Sequence, residues 1–218
     1  MNMRNLTIFA IAMTISAAGL AQAQQTVNFA TGLDSSGNVQ LSGDLLDANW
    51  TITGGQTMKN GATAGQAFTV TSGDADWYGG WQANGPNSSW ITQNPDSADN
   101  GLIDAKFTFN LDQSQLASAV FSNMGVSLDD SGQVLLNGNV EVSGLSYGNA
   151  GALTPFTINP ADLVAGQNTL EIQVTGTDYN LEAVRLEGML TVQSVPAPKG
   201  IFLLAAAPLI LLLRKRLA

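Results

Sequence analysis

The sequence predicts an all-β fold, a β-sandwich or jelly roll, between an N-terminal signal helix and a short hydrophobic C-terminal helix. Short segments that alternate apolar and polar residues recur along the middle of the chain, as strands with one buried face do. Clusters of Gly, Asn, Asp and Ser separate these segments, and no long amphipathic helix is evident among them. Many short strands joined by frequent turns are typical of antiparallel sandwiches.

The first 23 residues have the three parts of a secretory signal peptide. Arg4 supplies a positive charge, an apolar stretch runs from Leu6 to Leu20, and Ala21-Gln22-Ala23 provides a cleavage site with small residues. A buried or membrane helix is the alternative, but the run is short and ends at once in that site. We therefore expect residues 1–23 to be removed before Gln24 during export.

Residues 24–194 have the size of a single domain. They hold all 17 acidic residues of the chain, and three basic residues, Lys59, Lys106 and Arg185, oppose them to give a net charge of −14. Because nucleic-acid binding relies on clustered positive charge, the composition argues against that class of partner. The acidity is typical of a domain that must stay soluble outside the cell.

The chain contains no cysteine and no histidine. An exported domain of this size without cysteine must be held together by its apolar core rather than by disulfides. Histidine is the usual general base near neutral pH and the commonest metal ligand. The string Gly144-Leu145-Ser146-Tyr147-Gly148 matches the G-x-S-x-G pattern of a nucleophile elbow, but such a serine needs a base. We therefore assign no catalytic residues.

Four aromatic residues lie in one segment rich in Gly, Asn and Ser: Trp77, Tyr78, Trp81 and Trp90. Flat aromatic faces suit sugar rings, because the C–H face stacks while nearby amides and carboxylates bond the hydroxyls. These four residues are the candidate glycan-binding site. The alternative is that they pack on the core at the end of a sandwich. We expect Trp77, Tyr78 and Trp81 to be exposed, and Trp90, beside an expected strand, to be packed.

Acidic loops raise the question of a bound calcium ion. No segment completes an EF-hand loop. Asp34 with Asn38, or Asp129 with Asp130, offers a different set of oxygen ligands for a structural calcium. The alternative is that these are solvated turn residues. No other cofactor is predicted.

Three later segments show the alternation most clearly. KFTFNLD, TLEIQVTG and AVRLEGMLTV place apolar residues at alternate positions, with polar residues between them. The predicted core face of the three strands consists of Phe107, Phe109, Leu111, Leu170, Ile172, Val174, Val184, Leu186, Leu190 and Val192.

One helical turn is expected within residues 112–119.

The segment VLLNGNVEV predicts a β-hairpin. Asn137 and Gly138 separate two apolar runs in it. An Asn-Gly pair adopts positive φ more readily than other pairs, which a two-residue hairpin turn requires.

The segments LDDSGQVLLNGNVEV and FTINPADLVAGQNTLEIQV together resemble the galactose-binding-like jelly roll, an accessory sandwich of many glycoside hydrolases. The shared features are the acidic pair Asp129-Asp130 before a strand, the Asn137-Gly138 turn, and the run 166–170 that leads into a late strand. The resemblance covers residues 104–192 and implies a carbohydrate-binding-like fold. Asn168 is expected to fix its turn rather than to contact a ligand.

The C-terminal segment combines an apolar run, from Gly200 to Leu213, with the basic residues Arg214, Lys215 and Arg216. At about 1.5 Å per helical residue the run spans roughly 21 Å of a hydrocarbon core about 30 Å thick, which is short for a permanent anchor. The basic end is expected to stay cytoplasmic and to leave the acidic domain outside.

Together with Pro196-Ala197-Pro198, this layout resembles the PEP-CTERM sorting signal of exported bacterial proteins, over residues 195–218. The family has Pro-Glu-Pro at the motif, where this chain has alanine in the middle. The resemblance implies export, transient anchoring in the inner membrane, and processing at the motif by an exosortase, a membrane protease-transpeptidase. A simple C-terminal anchor is the alternative.

These observations predict a non-catalytic protein of the cell surface or matrix that associates with exopolysaccharide or envelope glycans and contributes to biofilm. PEP-CTERM proteins occur in bacteria that produce exopolysaccharide, and this association carries the prediction more than any single residue. Two alternatives stay open: a purely structural surface module without a ligand, and a secreted glycan-processing enzyme that uses a pair of carboxylates. The expected partners are the secretion machinery, an exosortase-like enzyme, the membrane and exopolysaccharide.

Overall fold

The computed structural model describes residues 23–55, 58–97, 101–176 and 181–194. Within these ranges the regular structure consists of strands and three short 3₁₀ turns, at Leu116–Ser118, Tyr147–Asn149 and Pro160–Asp162. The all-β prediction is therefore confirmed, and so is the helical turn expected within 112–119. The strands are β1 Ala23–Asn28, β2 Leu46–Gly55, β3 Gly65–Thr69, β4 Ile91–Thr92, β5 Gly101–Leu111, β6 Val120–Asp129, β7 Ser131–Leu136, β8 Asn139–Ser146, β9 Thr154–Pro155, β10 Gly166–Thr175 and β11 Ala183–Ser194.

The strands form one antiparallel sheet in the order β8-β7-β10-β5-β2-β3-β4-β11-β6-β9, with β1 also paired to β11. β6 and β7 lie near opposite ends of this order, yet only Asp130 separates them along the chain. The sheet must therefore curl until its two ends approach each other. Curling encloses one face of the sheet, and this face carries the core.

The central strands bury the residues that the alternation predicts. β5 and β10 are paired in register, with Leu170 opposite Phe107 and Ile172 opposite Ala105. The even-numbered side chains of β10 point to the core, and the polar residues between them face outward. All ten predicted core positions in β5, β10 and β11 are buried, so this part of the prediction is confirmed.

The predicted hairpin is also present. Asn137 and Gly138 connect β7 to β8 with φ angles of 52° and 84°. Positive φ at both central residues is the arrangement that matches the twist of the flanking strands.

Asn168 fixes the turn before β10, as predicted. Its side chain is fully buried, and its Oδ1 atom accepts hydrogen bonds from the Val164 amide at 2.9 Å and from Nδ2 of Asn137 at 2.8 Å. Its Nδ2 atom lies 2.8 Å from the carbonyl oxygen of Val164 and 3.1 Å from that of Gly166. One amide side chain thus joins this turn to the β7–β8 hairpin.

A β-bulge interrupts the pairing of β11 with β6. Glu187 lies opposite Gly125 and Met189 lies opposite Ser122, so that two residues of β6, Asn123 and Met124, face the single residue Gly188. Asn123 has a φ angle of 55°. A side chain at Gly188 would collide with the sulfur of Met124, since a Cβ atom there would lie 2.2 Å from it. Such bulges bend a strand and redirect the neighbouring side chains.

The core has a main part and a smaller satellite. The main part contains an aromatic group in which Phe29 packs edge-on against Phe107 and Phe109, at centroid distances of 5.2 and 5.3 Å. The satellite is formed by Val70, Trp81, Trp90, Ala150 and Ala183. Both lie in the compact unit Gln24–Val195.

The predicted signal peptide, 1–23, and the predicted sorting segment, 195–218, lie outside the described residues apart from Ala23, the first residue of β1. The sorting-motif residues Pro196, Ala197, Pro198, Arg214, Lys215 and Arg216 belong to this part. In the ranges that the structure does describe, no helix has both the length and the apolar character needed to span a membrane.

Candidate functional site

The segment 70–90, here called the aromatic loop, connects β3 to β4 and carries all four candidate aromatic residues. Their exposure differs widely. Trp90 is fully buried and Trp81 is 4% exposed, whereas Tyr78 is 42% exposed and Trp77 is half-buried. The candidate site therefore divides into a buried pair and an outer pair.

The buried pair forms an indole stack. The rings of Trp81 and Trp90 lie 4.7 Å apart at an angle of 16°, and Trp77 meets Trp81 edge-on at 5.3 Å and 77°. Nε1 of Trp81 donates to Oδ2 of Asp129 at 2.7 Å, and Nε1 of Trp90 donates to the carbonyl oxygen of Gln82 at 2.7 Å. Stacking and edge-on contacts of this kind add to the stabilisation from burial.

The expectation that Trp81 is exposed is wrong. The ring belongs to the buried satellite cluster, together with Val70, Trp90, Ala150 and Ala183. Asp129 satisfies the only polar atom of the indole, so the ring can be buried without losing a hydrogen bond. The expectations that Trp90 is packed and that Tyr78 is exposed are confirmed.

Arg185 holds the second half of the aromatic loop on β11. Its side chain is 2% exposed; Nε donates to Oγ of Ser88 at 2.7 Å and Nη1 donates to the carbonyl oxygen of Ala83 at 2.8 Å. Nη2 lies 3.3 Å from Oε1 of Glu187. Burial lowers the pKa of the guanidinium, and the charge of Glu187 opposes that shift. The sequence offered one signal for this role, a lone arginine at an outward position of a predicted strand.

The first half of the loop is held by two carboxylates. Asp76 is fully buried and its Oδ2 atom accepts a hydrogen bond from Oγ1 of Thr92 at 2.7 Å. Oδ2 of Asp74 accepts from the Thr71 amide at 2.6 Å. Asp76 thus ties the first half of the loop to β4, Arg185 ties the second half to β11, and Asp74 closes a turn within the loop.

The acidic residues considered as calcium ligands have other contacts. Oδ1 of Asp34 accepts from the amides of Ser36 and Asn38 at 2.8 and 2.9 Å, which closes a turn. These hydrogen bonds, led by those from Asn38, lower the pKa of Asp34. Asp129 accepts from Trp81. Among the residues that the structure describes, no group of three or more acidic side chains is arranged to hold a metal ion.

A polar row crosses the outer face of β7, β10 and β5. Nζ of Lys106 lies 3.4 Å from Oε1 of Glu171, and Gln173 donates to that same oxygen at 3.0 Å. Asp104 is half-buried nearby. Burial first, and then the charge of Glu171, raises the pKa of Asp104, whereas Lys106 acts in the opposite direction.

Comparison with protein-family models, with curated proteins and with solved structures finds no match for this chain.

Proposed function

We propose that the protein is a non-catalytic, exported module of the cell surface or matrix that binds exopolysaccharide or envelope glycans through Trp77 and Tyr78. The observation that carries the proposal is the outer aromatic pair on a buried base that is hydrogen-bonded to the sheet. Trp77 rests on the buried Trp81 ring, and Tyr78 is 42% exposed beside it. An aromatic face that is fixed before binding loses little conformational freedom when a sugar stacks on it.

The glycines after Tyr78 support this role. A Cβ atom at Gly80 would lie 2.4 Å from Cε1 of Tyr78, so the tyrosine ring covers the backbone of that glycine. At Gly79 a Cβ atom would meet nothing within 4 Å. The ring therefore lies against the backbone of its own loop, and 42% of the residue remains exposed.

The finer fold type belongs to the same proposal. We assign the curled sheet to the galactose-binding-like jelly rolls because the quoted segments occupy matching elements. Asp129-Asp130 joins β6 to β7, Asn137-Gly138 closes the next hairpin, and the run 166–170 opens β10. Sandwiches of this type serve as carbohydrate-binding accessories, which agrees with a role without catalysis.

Export and surface sorting are proposed from the sequence of the two terminal segments. A signal peptide at 1–23 and a PEP-CTERM-like segment at 195–218 place the acidic module outside the inner membrane and deliver it to an exosortase. A glycan-binding module at the surface can act in many copies, so weak individual sites gain avidity along one polymer.

The test is retention of the full-length protein, purified with detergent, on immobilised exopolysaccharide. The double variant Trp77→Ala with Tyr78→Ala is expected to reduce retention at least tenfold, because stacking supplies most of the contact. Tyr147→Ala is the matched control, since Tyr147 is 59% exposed and lies outside the aromatic loop. Equal retention of the double variant and the control would reject the aromatic site.

A structural module without a ligand is the second candidate. The burial of Trp81 and Trp90 favours it, because two of the four aromatic residues stabilise the domain instead of facing solvent. This candidate predicts that the unmodified protein is not retained on any polysaccharide of the native matrix.

A further inference from the structure

A groove of about 330 Å³ lies beside the β-bulge between β6 and β11. Its wall comes from four parts of the chain: the end of β1, the turn at 37–39, the aromatic loop, and the bulged pair β6 and β11. The lining side chains that matter here are Asn28, Pro86, Asn87, Asn123, Glu187 and Met189. Its volume is at the lower end of the range for small-molecule sites, which suits a ligand of one ring.

The bulge shapes this groove. Gly188 and Asn123 face each other across the bulge, and both line the groove. Without the extra residue in β6, regular pairing would continue, and the side chains of β6 and β11 would alternate between the two faces of the sheet. Bulges frequently occur where a protein redirects side chains toward a ligand.

Glu187 is fixed in the groove by a buried partner. Its Oε1 atom accepts from Nη2 of Arg185 at 3.3 Å and from Oγ of Ser88 at 2.9 Å. Its Oε2 atom has a single weak contact within the described residues, Nδ2 of Asn87 at 3.4 Å. One carboxylate oxygen is therefore held in place and still able to accept hydrogen bonds from a ligand.

The three asparagines add donors and acceptors on the other sides. Oδ1 of Asn28 accepts from the Ala30 amide at 3.0 Å, which fixes the orientation of its NH₂ group. The side chain of Asn123 makes no hydrogen bond to any residue in the described part of the chain. Amide groups that both donate and accept, next to one carboxylate, match the hydroxyls of a sugar, which also do both.

We propose that this groove binds one neutral sugar ring. The sugar hydroxyls form hydrogen bonds with Asn28, Asn87, Asn123 and Glu187, and its C–H surface packs on Pro86 and Met189. Among the described residues that line the groove, Glu187 alone is charged, so an anionic ligand would be repelled. The inference rests on the proposed glycan-binding function for the source of the sugar, and it adds a second site on the same loop.

The test is titration of the isotope-labelled, full-length protein in mild detergent with the methyl glycosides of glucose, galactose and mannose, followed by ¹H–¹⁵N NMR. At least one glycoside is expected to shift the side-chain NH₂ signals of Asn28, Asn87 and Asn123. The variant Asn87→Ala with Asn123→Gly is expected to bind at least tenfold more weakly. Glycine at position 123 keeps the positive φ angle while removing the amide.

Asn110→Ala is the matched control, because Asn110 is an exposed asparagine of β5 outside the groove; it is expected to bind like the unmodified protein. Unchanged affinity in the double variant would overturn the proposal, and so would tighter binding of methyl glucuronoside than of methyl glucoside. If polysaccharide is retained but no glycoside shifts the three NH₂ signals, the proposed sugar site in the groove is rejected and the proposed aromatic site is not. If the groove titrates but no polysaccharide is retained, the proposed function fails and the groove stands.

Discussion

The surroundings of Asp104 disfavour the charged form of its carboxyl group. Its Oδ1 atom is buried and has no hydrogen-bond partner in the described structure, and its pKa is raised, first by burial and then by Glu171. Since the folded-state pKa lies above the unfolded value of 3.8, the folded protein takes up the proton first as the pH falls. Stability therefore rises as the pH falls through the folded pKa, and the gain is complete below the unfolded value.

We expect Asp104→Asn to raise the thermal midpoint at pH 7 and to reduce the gain in stability between pH 7 and pH 4. Removing the charge removes both causes of the raised pKa. Circular dichroism melts at the two pH values measure the effect, and Asp112→Asn, at an exposed position, is the control. A variant that melts lower than the unmodified protein at pH 7 would show that attraction to Lys106 outweighs burial.

Trp81 is buried, so its replacement tests stability. We expect Trp81→Ala to lower the free energy of unfolding by about 3–5 kcal/mol, because it empties the centre of the indole stack and removes the buried hydrogen bond from Nε1 to Asp129. Tyr78→Ala in the same loop is expected to change it by less than about 1 kcal/mol. Urea unfolding followed by far-ultraviolet circular dichroism compares the two; similar costs would contradict the division into buried and outer pairs.

At the scale of elements, β5 provides the sharpest contrast between two faces of one strand. Phe109 packs against Phe29 in the main core, whereas the adjacent Thr108 is exposed. We expect Phe109→Ala to cost about 3–5 kcal/mol by opening a cavity, and Thr108→Ala to be nearly neutral. Chemical denaturation of both variants gives the difference, and equal costs would be incompatible with the strand as described.

The elements that could be predicted from sequence are those whose signal is local. Alternation in β5 and β10, and the Asn137-Gly138 turn, depend on residues within one short segment. The burial of Trp81 depends instead on Asp129, 48 positions away, and the role of Arg185 depends on Ser88, 97 positions away. The bulge at Gly188 requires the pairing of β11 with β6. Contacts between residues so far apart leave no periodic pattern in the sequence. The outer aromatic pair could therefore be recognised from the sequence, whereas the buried residues that hold it could not.

At the scale of the whole molecule, every basic residue in 24–194 contacts a carboxylate. Lys59 contacts Asp44 and Asp96, and the other two ion pairs are Lys106 with Glu171 and Arg185 with Glu187. Because three basic residues stand against 17 acidic ones in 24–194, the field around the module is negative.

This field leads to a prediction about salt. Retention on a neutral polysaccharide is expected to change less than twofold between low and high ionic strength, because stacking and neutral hydrogen bonds are not screened. An anionic polymer is expected to bind poorly at low salt and no better than the neutral one at high salt. Affinity chromatography over a salt gradient measures both, and retention that salt abolishes would point to an ionic contact.

The terminal segments give the last prediction, which concerns the fate of the whole chain. A processed sorting signal leaves a mature protein that ends near Pro196–Lys199, because an exosortase acts at the motif while the apolar run holds the chain in the membrane. A plain anchor instead keeps Ala218. Intact-mass spectrometry of the protein isolated from the surface of its native cells separates the two. If the positive end is what keeps the tail on the cytoplasmic side, replacing Arg214, Lys215 and Arg216 by glutamine should prevent correct sorting. Recovery of chains that end at Ala218 in the mature surface fraction would favour the anchor, and glutamine variants that sort normally would show that the basic end is not part of the signal.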